Sequence, residues 1–530
     1  MTLREAIRQG DIHLIQEYLS HEGDIHQPDH EGNTPLIIAA DYEQTEIARV
    51  LLEHHADVYV RNNKGETAWS VAVLTGNVEL MMLFVQQGVD VNTIMTDDKG
   101  GEWNALLEAV FDGDTQLVRF LVEHGADVNA RVKKGEWEGF TALIIAAHDG
   151  RTDIVELLVE RGAELEARSA NNGWTALMWA VYAQSIETVA ILLEHGADVN
   201  ARVEEGDWEG FTALIIAAHD DRTDIVELLV VRGAELEARS ANNGWTALMW
   251  AVYALSIETV AILLEHGADV NARVEEGDWE GFTALIIAAH DDRTDIVELL
   301  AERGAELEAI SANNGWTALM WAVKVASLET VTMLLERGAE VNATVKHGEW
   351  DGCTALMVAV HEGQVELVRL LIEHGASVNV QNVRSETALN WAIRKEVGLD
   401  MLEVLLDHGA TLDARSEHEG WTALMWAVSV GSLAMVQYFI TRGADVNATV
   451  KRGYWTGCTA LMVAIYKNYP HIIHFLLDAG VDVTLRNAQG ETALEAAVTR
   501  MLDVDIIERL TDLVIGPECG SADRDSAGPH

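Results

Sequence analysis

The sequence predicts an all-α solenoid, a curved stack of helix-turn-helix units joined by projecting hairpin-like loops. Two observations lead to this prediction. Thr141–Phe211 recurs as Thr212–Phe282 with three differences in 71 residues. Each such segment is itself double, because the tripeptide Thr-Ala-Leu or a close variant returns about every 33 residues. Repeated units of this kind bury their apolar faces against one another, so the repeat decides the architecture.

The repeat extends along almost the whole chain. Most intervals between successive units are 33, 34 or 37 residues, so about every second unit carries an insertion of roughly four residues. Fourteen units begin at Thr34, Thr67, Asn104, Thr141, Thr175, Thr212, Thr246, Thr283, Thr317, Thr354, Thr387, Thr422, Thr459 and Thr492.

The residues of one unit predict its local structure. Thr141 is a candidate N-cap for a first helix that ends before Gly150. A second helix follows, because the apolar residues of 154–158 have the spacing of a buried helical stripe. Gly162 suits a left-handed helix end, and the sequence Asn-Asn-Gly173 indicates a turn before the next unit. Each unit is therefore predicted as helix, turn, helix and loop.

These motifs resemble those of ankyrin-repeat proteins. The resemblance rests on Gly32–Leu36 (Gly-Asn-Thr-Pro-Leu) and on Leu193–Asn200 (Leu-Glu-His-Gly-Ala-Asp-Val-Asn), which recurs with little change. It covers roughly residues 3–515. In most units the family's Thr-Pro-Leu-His is Thr-Ala-Leu followed by Ile or Met. We therefore expect apolar packing of Ile144 and Met178 to replace the inter-unit hydrogen bonds that the family's histidine makes.

The organisation along the chain follows the repeat. Residues 1–31 are predicted to form an N-terminal capping repeat with helices at Leu3–Gln9 and Ile12–Leu19. Residues 32–491 form the tandem repeats, and 492–515 form a C-terminal capping repeat. The segment 516–530 has no periodicity, and we expect it to be disordered.

Composition limits the class of protein. No uncharged apolar run reaches the ~18 residues of a membrane span, and residues 1–7 begin an amphipathic helix rather than a signal peptide. Cys353, Cys458 and Cys519 form no disulfide framework. These features predict a cytoplasmic chain without membrane insertion, which we expect to be monomeric, while export without a signal stays open.

Motifs of catalysis are missing from the sequence. There is no glycine-rich phosphate loop, no Gly-x-Ser-x-Gly elbow and no His-Glu-x-x-His motif. Residue types that could act in catalysis recur in several units, as scaffold residues do. The sequence therefore predicts a protein that is not an enzyme and has no cofactor or catalytic metal.

Aromatic residues recur where the resemblance implies a binding face. In ankyrin-repeat proteins, loop tips and first-helix ends line the concave face, and Trp and Tyr dominate binding hot spots. Fifteen residues at the loops, before the unit threonines and at the first-helix ends are our candidate contacts. They are Trp137, Phe140, His148, Trp174, Tyr182, Trp208, Phe211, His219, Trp245, Tyr253, Trp279, Phe282, His290, Trp316 and Trp350.

A packing role is the alternative for many of these aromatic residues. The loop tryptophans could stack as a spine between units, and the histidine-acid pairs such as His148-Asp149 could be solvated helix ends. Packing is favoured for the tryptophans inside the first helices. Those residues are Trp179, Trp250, Trp321, Trp391 and Trp426.

The net charge of the chain indicates the chemistry of the predicted partner. The chain has 86 acidic against 36 basic residues and a formal net charge of −50. Such a field repels nucleic acids and attracts basic surfaces. We therefore predict a protein-binding scaffold for a basic or extended protein segment, with no nucleic-acid partner. The alternatives are a carbohydrate or small cationic ligand stacked on the tryptophans, and acidic mimicry of nucleic acid towards a basic protein.

Overall fold

A computed structural model describes residues 3–21, 24–96, 101–413, 415 and 420–515. Within these ranges the chain forms thirty helices in fifteen successive pairs, which confirms the predicted all-α repeat fold. The predicted disordered tail 516–530, with Cys519, lies outside the described residues. Two compact units make up the chain, Met1–Ala272 and Arg273–His530.

The first compact unit contains eight helix pairs, and odd numbers denote the first helix of each pair. They are α1 (Leu3–Gln9), α2 (Ile12–Ser20), α3 (Pro35–Asp41), α4 (Thr45–Glu53), α5 (Ala68–Leu74), α6 (Val78–Gln86), α7 (Ala105–Asp112), α8 (Thr115–Glu123), α9 (Ala142–His148), α10 (Thr152–Glu160), α11 (Ala176–Tyr182), α12 (Ile186–Glu194), α13 (Ala213–His219), α14 (Thr223–Val231), α15 (Ala247–Tyr253) and α16 (Ile257–Glu265). Between α6 and α7, β1 (Met95–Thr96) and β2 (Glu102–Trp103) pair antiparallel.

The second compact unit contains seven helix pairs. They are α17 (Ala284–His290), α18 (Thr294–Glu302), α19 (Ala318–Lys324), α20 (Leu328–Glu336), α21 (Ala355–His361), α22 (Val365–Glu373), α23 (Ala388–Arg394), α24 (Leu399–Asp407), α25 (Ala423–Ser429), α26 (Leu433–Thr441), α27 (Ala460–Lys467), α28 (Pro470–Asp478), α29 (Ala493–Thr499) and α30 (Val504–Ile515). Across the described ranges, none of the helices is long and apolar enough to cross a membrane.

The first helices begin at the recurring cap residue. The Thr141 hydroxyl accepts a hydrogen bond from the backbone N–H of Ile144 at 3.3 Å, which satisfies one of the N–H groups that a helix start leaves open. Thr387 forms a reciprocal capping box with Asn390. After each first helix, one residue takes a left-handed backbone conformation and turns the chain into the second helix. Gly150 is one of these residues, with φ +64°.

This left-handed turn position gives a stability prediction. Ala326 occupies it with φ +67°, and Gly363 occupies the same position in the next unit with φ +73°. A residue with a Cβ is strained there by about 1–2 kcal/mol, and replacing it with glycine removes this strain. The greater conformational entropy of glycine in the unfolded state cancels only part of the resulting stabilisation. We expect Ala326→Gly to stabilise the fold by about 0.5–1 kcal/mol in urea unfolding.

Gly363→Ala is the matched control for this position. A Cβ at Gly363 meets no atom within 4 Å, so the backbone conformation alone determines its effect. This change should destabilise by a similar amount. A loss of stability in both variants would contradict the strain argument.

The second helices bury the predicted stripe. Ile154, Val155 and Leu158 of α10 are fully buried against neighbouring helices. At the end of α12, His195 Nδ1 lies 2.9 Å from the carbonyl oxygen of Ile191, which also accepts a hydrogen bond from the His195 backbone N–H.

Adjacent helix pairs are joined by packing and by side-chain hydrogen bonds. Ile144 and Met178 are buried, as expected where the family's histidine is absent. Thr152 Oγ1 lies 3.0 Å from Thr188 Oγ1 of the next pair. The Asn129 side-chain oxygen accepts from the backbone N–H of Glu164 at 2.8 Å. Asparagine and threonine therefore supply the inter-repeat hydrogen bonds at these positions.

Both cysteines in the described residues are buried free thiols. Cys353 and Cys458 each stand immediately before a unit threonine, where most other units carry Phe or Trp. Burial raises the pKa of each thiol to about 11. Both side chains are therefore protonated core residues at neutral pH.

Candidate functional site

The aromatic residues that precede the unit threonines lie inside the repeats. The six candidates of this series are between 1% and 4% exposed: Phe140, Trp174, Phe211, Trp245, Phe282 and Trp316. A residue before an N-cap packs on the fourth helical residue, in the arrangement called a hydrophobic staple. Accordingly, the Trp174 ring lies 4.9 Å from the Trp179 ring. We leave these six residues out of the proposed contact surface.

The loop tryptophans are half-buried and contact rings from two units. Trp208 lies 4.8 Å from Phe211 and 5.3 Å from Trp174, with interplanar angles of 79° and 83°. Such edge-to-face contacts are favourable beyond the area they bury. Trp137, Trp279 and Trp350 make equivalent contacts with neighbouring rings. Each loop is thereby attached to the helices beneath it.

Ring contacts form a continuous chain over part of each compact unit. We call this chain of rings the aromatic spine. In the first unit, successive centroids are 4.8–5.8 Å apart along Trp103, Phe111, Trp137, Phe140, Trp179, Trp174, Trp208, Phe211, Trp250 and Trp245. In the second unit, they are 4.8–5.8 Å apart along Trp279, Phe282, Trp321, Trp316, Trp350 and Trp391. The spine supports a packing role for its buried members.

The helix-end histidines are fixed by the acid that follows each of them. His148 Nδ1 lies 2.6 Å from Asp149 Oδ1, and its ring lies 5.1 Å from Trp137. His219 and His290 repeat both contacts. These half-buried imidazoles form the edge of the spine. Over the described ranges, no three His, Cys, Asp or Glu side chains are placed to hold a metal ion together.

Two tyrosines are the most exposed of the candidate residues. Tyr182 and Tyr253 are 52% and 53% exposed, at the ends of α11 and α15. The Tyr182 ring contacts Trp174 and Trp179, both at 5.8 Å. Each tyrosine therefore offers a free ring surface on a rigid base of buried tryptophan. We call Tyr182 and Tyr253 the tyrosine pair.

Carboxylates lie in the same loop as a half-buried tryptophan. The loop that carries Trp208 also carries exposed Glu204, Glu205, Asp207 and Glu209. Arg168 lies 3.4 Å from Glu204 in this loop. Side chains of Glu, Asp and aromatic residues are thus combined on the loop side of the repeats.

Three exposed aromatic residues were not among the candidates, and one of them, Tyr59, is 58% exposed in the segment between α4 and α5. Phe111 is 41% exposed and joins Trp103 and Trp137 in the spine. It stands seven residues after Asn104, as His148 stands seven after Thr141, so the repeat alignment could have indicated it. Tyr454 is 86% exposed beside Trp455, in a loop otherwise equivalent to that of Trp208.

The repeat geometry and the family comparison agree. A family model described as ankyrin repeats (3 copies) matches residues 3–95, 55–132, 106–203, 201–274, 272–345, 344–416 and 400–487. The chain belongs to the ankyrin-repeat family. This confirms the resemblance seen in the sequence.

Curated relatives share parts of this ankyrin-repeat chain. The B-cell lymphoma 3 protein homolog of Mus musculus is 34% identical over 128 residues, which are 24% of this chain and 27% of that protein. Ankyrin repeat and SAM domain-containing protein 6 of Rattus norvegicus is 42% identical over 77 residues, 14% of this chain and 8% of that protein. The match therefore spans about a quarter or less of either relative.

The crystal structure of the ankyrin repeat domain of Bcl-3 is one of the solved structures that are similar to this chain. It is 28% identical, covers 44% of this chain and 99% of that chain, and has a TM-score of 0.39. Ankyrin-repeat relatives bind other proteins, so an interaction scaffold is the class of function that family membership supports.

Proposed function

We propose that this ankyrin-repeat chain is a non-catalytic scaffold that holds a basic or extended segment of a partner protein. The segment contacts the loop side of the repeats, with the tyrosine pair and the exposed edges of Trp137, Trp208 and His219 as its anchors. The observation that carries the proposal is the exposure of Tyr182 and Tyr253 on buried tryptophan.

Rigid aromatic rings suit this role. A tyrosine held by neighbouring rings loses little conformational freedom when a partner binds, so more of its contact energy appears as affinity. Tyr182 and Tyr253 stand at the same position of units 71 residues apart in sequence. Two equivalent anchors favour an extended segment over a small ligand.

The surrounding carboxylates favour basic side chains on that segment. Arg and Lys combine attraction to carboxylates with cation–π contact to Tyr and Trp, worth about 0.5–1 kcal/mol at an exposed ring. Glu204, Glu205 and Asp207 lie in the loop of Trp208. The net charge of −50 further increases the encounter rate with a basic partner.

A labelled oligolysine peptide tests both the attraction between charges and the contacts with the rings. We expect its affinity, measured by fluorescence anisotropy, to fall as salt rises and then to reach a plateau, because salt screens charges beyond about 8–10 Å but not ring contacts. At the plateau, Tyr182→Ala combined with Tyr253→Ala should weaken binding about tenfold, from two cation–π contacts of ~0.5–1 kcal/mol each.

Tyr59→Ala is the matched control, since Tyr59 is 58% exposed in the same compact unit and has no part in the spine. It should leave the plateau affinity unchanged. Equal plateau affinities for the double variant and the unmodified protein would refute the tyrosine anchors. An affinity indifferent to salt would mean that the acidic residues are only a solubility coat, whereas an affinity that falls to nothing at high salt would contradict the ring contacts.

A carbohydrate ligand is the second candidate, because exposed rings on a rigid base also stack against sugar faces. A glycan array separates the two proposals. Glycan binding that is lost in the tyrosine double variant would favour the carbohydrate, whereas peptide binding alone favours the protein scaffold.

A further inference from the structure

A cavity of about 160 Å³ lies in the second compact unit, beside the loop of Trp350 and the helix α23. Three rings form its apolar wall. Trp350 lies 4.9 Å from both His361 and Trp391. The Trp391 indole N–H donates to Glu386 at 3.1 Å, which holds that ring in place. The wall is therefore preformed.

Three cationic side chains and one carboxylate form the rest of the lining. Arg394 pairs with the carboxylate of Glu386, which is only 8% exposed. Arg384 and Lys395 make no ion pair with any described residue. Glu349 is the carboxylate among the lining residues. Two of the three positive charges are therefore available to a ligand.

These charges depart from the repeat pattern. Arg384 stands three residues before a unit threonine. This position is basic in one other unit, which has Lys64, whereas in the seven successive units from Thr141 to Thr354 it is an acid or an asparagine. Those residues are Glu138, Asn172, Glu209, Asn243, Glu280, Asn314 and Asp351. Lys395 stands eight residues after Thr387. The units that share its place in the two-unit alternation carry Ala183, Ala254 or Val325 there, and two later units carry Lys467 and Arg500. No other unit carries basic residues at both positions.

The neighbouring acid does not neutralise the cavity. Glu362 takes a hydrogen bond from Lys324 at 2.6 Å and contacts His361 Nδ1 at 2.8 Å. Burial raises the pKa of Glu362, but these two contacts outweigh burial and hold the pKa below its usual value. Glu362 is therefore a carboxylate already occupied by Lys324 and His361.

We propose that this cavity binds an aromatic anion, a phosphate or carboxylate carried on a flat ring. Guanidinium groups match such anions in geometry and charge. A cavity of about 150 Å³ is large enough to hold a benzene ring. The ring lies against Trp350 and Trp391, and the anion faces Arg384 and Lys395.

This site is separate from the proposed basic-segment surface, because it selects the opposite charge and uses other residues. Its failure leaves the tyrosine-pair proposal standing. The converse also holds, since the tyrosine pair lies in the first compact unit.

Ligand-observed NMR with phenyl phosphate tests the cavity, with inorganic phosphate and benzoate as separate arms. Phenyl phosphate should bind at least tenfold tighter than inorganic phosphate, because the ring is desolvated against two indoles. The double variant Arg384→Asn, Lys395→Ala should weaken its binding at least tenfold, and it introduces residue types that other units tolerate at these positions.

Arg369→Asn is the control, a loss of one positive charge on the exposed side of α22 outside the cavity lining. It should change the affinity less than twofold. Benzoate binding as tight as that of phenyl phosphate would support the site with a carboxylate as the anion. No phenyl phosphate binding, equal affinity for inorganic phosphate, or an affinity unchanged in the double variant would each overturn the proposal.

Discussion

Phe211→Ala should destabilise the first compact unit by about 3–5 kcal/mol, the usual loss for removing a fully buried aromatic ring. Phe211 is 1% exposed, and its ring lies 4.8 Å from Trp208 and 5.5 Å from Trp250. Its removal leaves a cavity at the junction of two repeats and interrupts the aromatic spine. Urea unfolding gives the size of the loss, and amide hydrogen exchange should place it in the adjacent helices.

Two companion substitutions distinguish packing from binding. Trp208→Ala removes a half-buried ring, so we expect a smaller loss of about 1–2 kcal/mol. Tyr253→Ala removes an exposed ring and should change the stability by about 0.5 kcal/mol. If Trp208→Ala cost as much as Phe211→Ala, the loop tryptophans would be core residues and the contact surface would reduce to the tyrosine pair.

The helix pairs could be predicted because their signals are local. The Thr141 cap, the turn glycine and the apolar stripe of 154–158 all act within a few residues. The predicted helix at Leu3–Gln9 coincides with α1, and the one at Ile12–Leu19 ends one residue later, at Ser20. Ankyrin membership followed from the same repeated signals.

The division of aromatic residues between core and surface was harder to predict. Trp174 was a surface candidate because it borders a loop, yet it is buried against Trp179, five residues later. The staple rule connects these two positions and could have indicated the burial. The contact between Trp174 and Trp208 joins different units, so only the folded stack shows that the loop returns onto the helices.

The cationic cavity was missed for a different reason. Arg384 and Lys395 occur together in only one unit of a long repeat, and attention to the recurring residues passes over them. The cavity that they line also needs Trp350 and His361, which belong to the preceding unit. Contacts between neighbouring units form only when the repeats stack, so the sequence of a single unit does not reveal them.

Deleting the 71-residue block Thr141–Phe211 should leave a folded, shorter protein. Deleting only the 34 residues 141–174 should cause a larger loss of stability. The block deletion places Phe140 before Thr212. Phe140 then takes the place of Phe211 against Trp250, and both native Phe–Trp pairs have the same 5.5 Å separation. Nearest-neighbour contacts decide the stability of repeat proteins, so the thermal midpoint should change little.

The shorter deletion disrupts the alternation of units. Phe140 would precede Thr175, and Trp208 would lose its contact with Trp174, which is 5.3 Å in the intact chain. The Thr152–Thr188 hydrogen bond of 3.0 Å would also be lost. Together these changes should cost about 3–5 kcal/mol, as a buried large-to-small substitution does. Far-UV circular dichroism per residue and urea midpoints measure both deletions. Equal losses would show that any neighbouring unit suffices, and that the two-unit alternation carries no packing information.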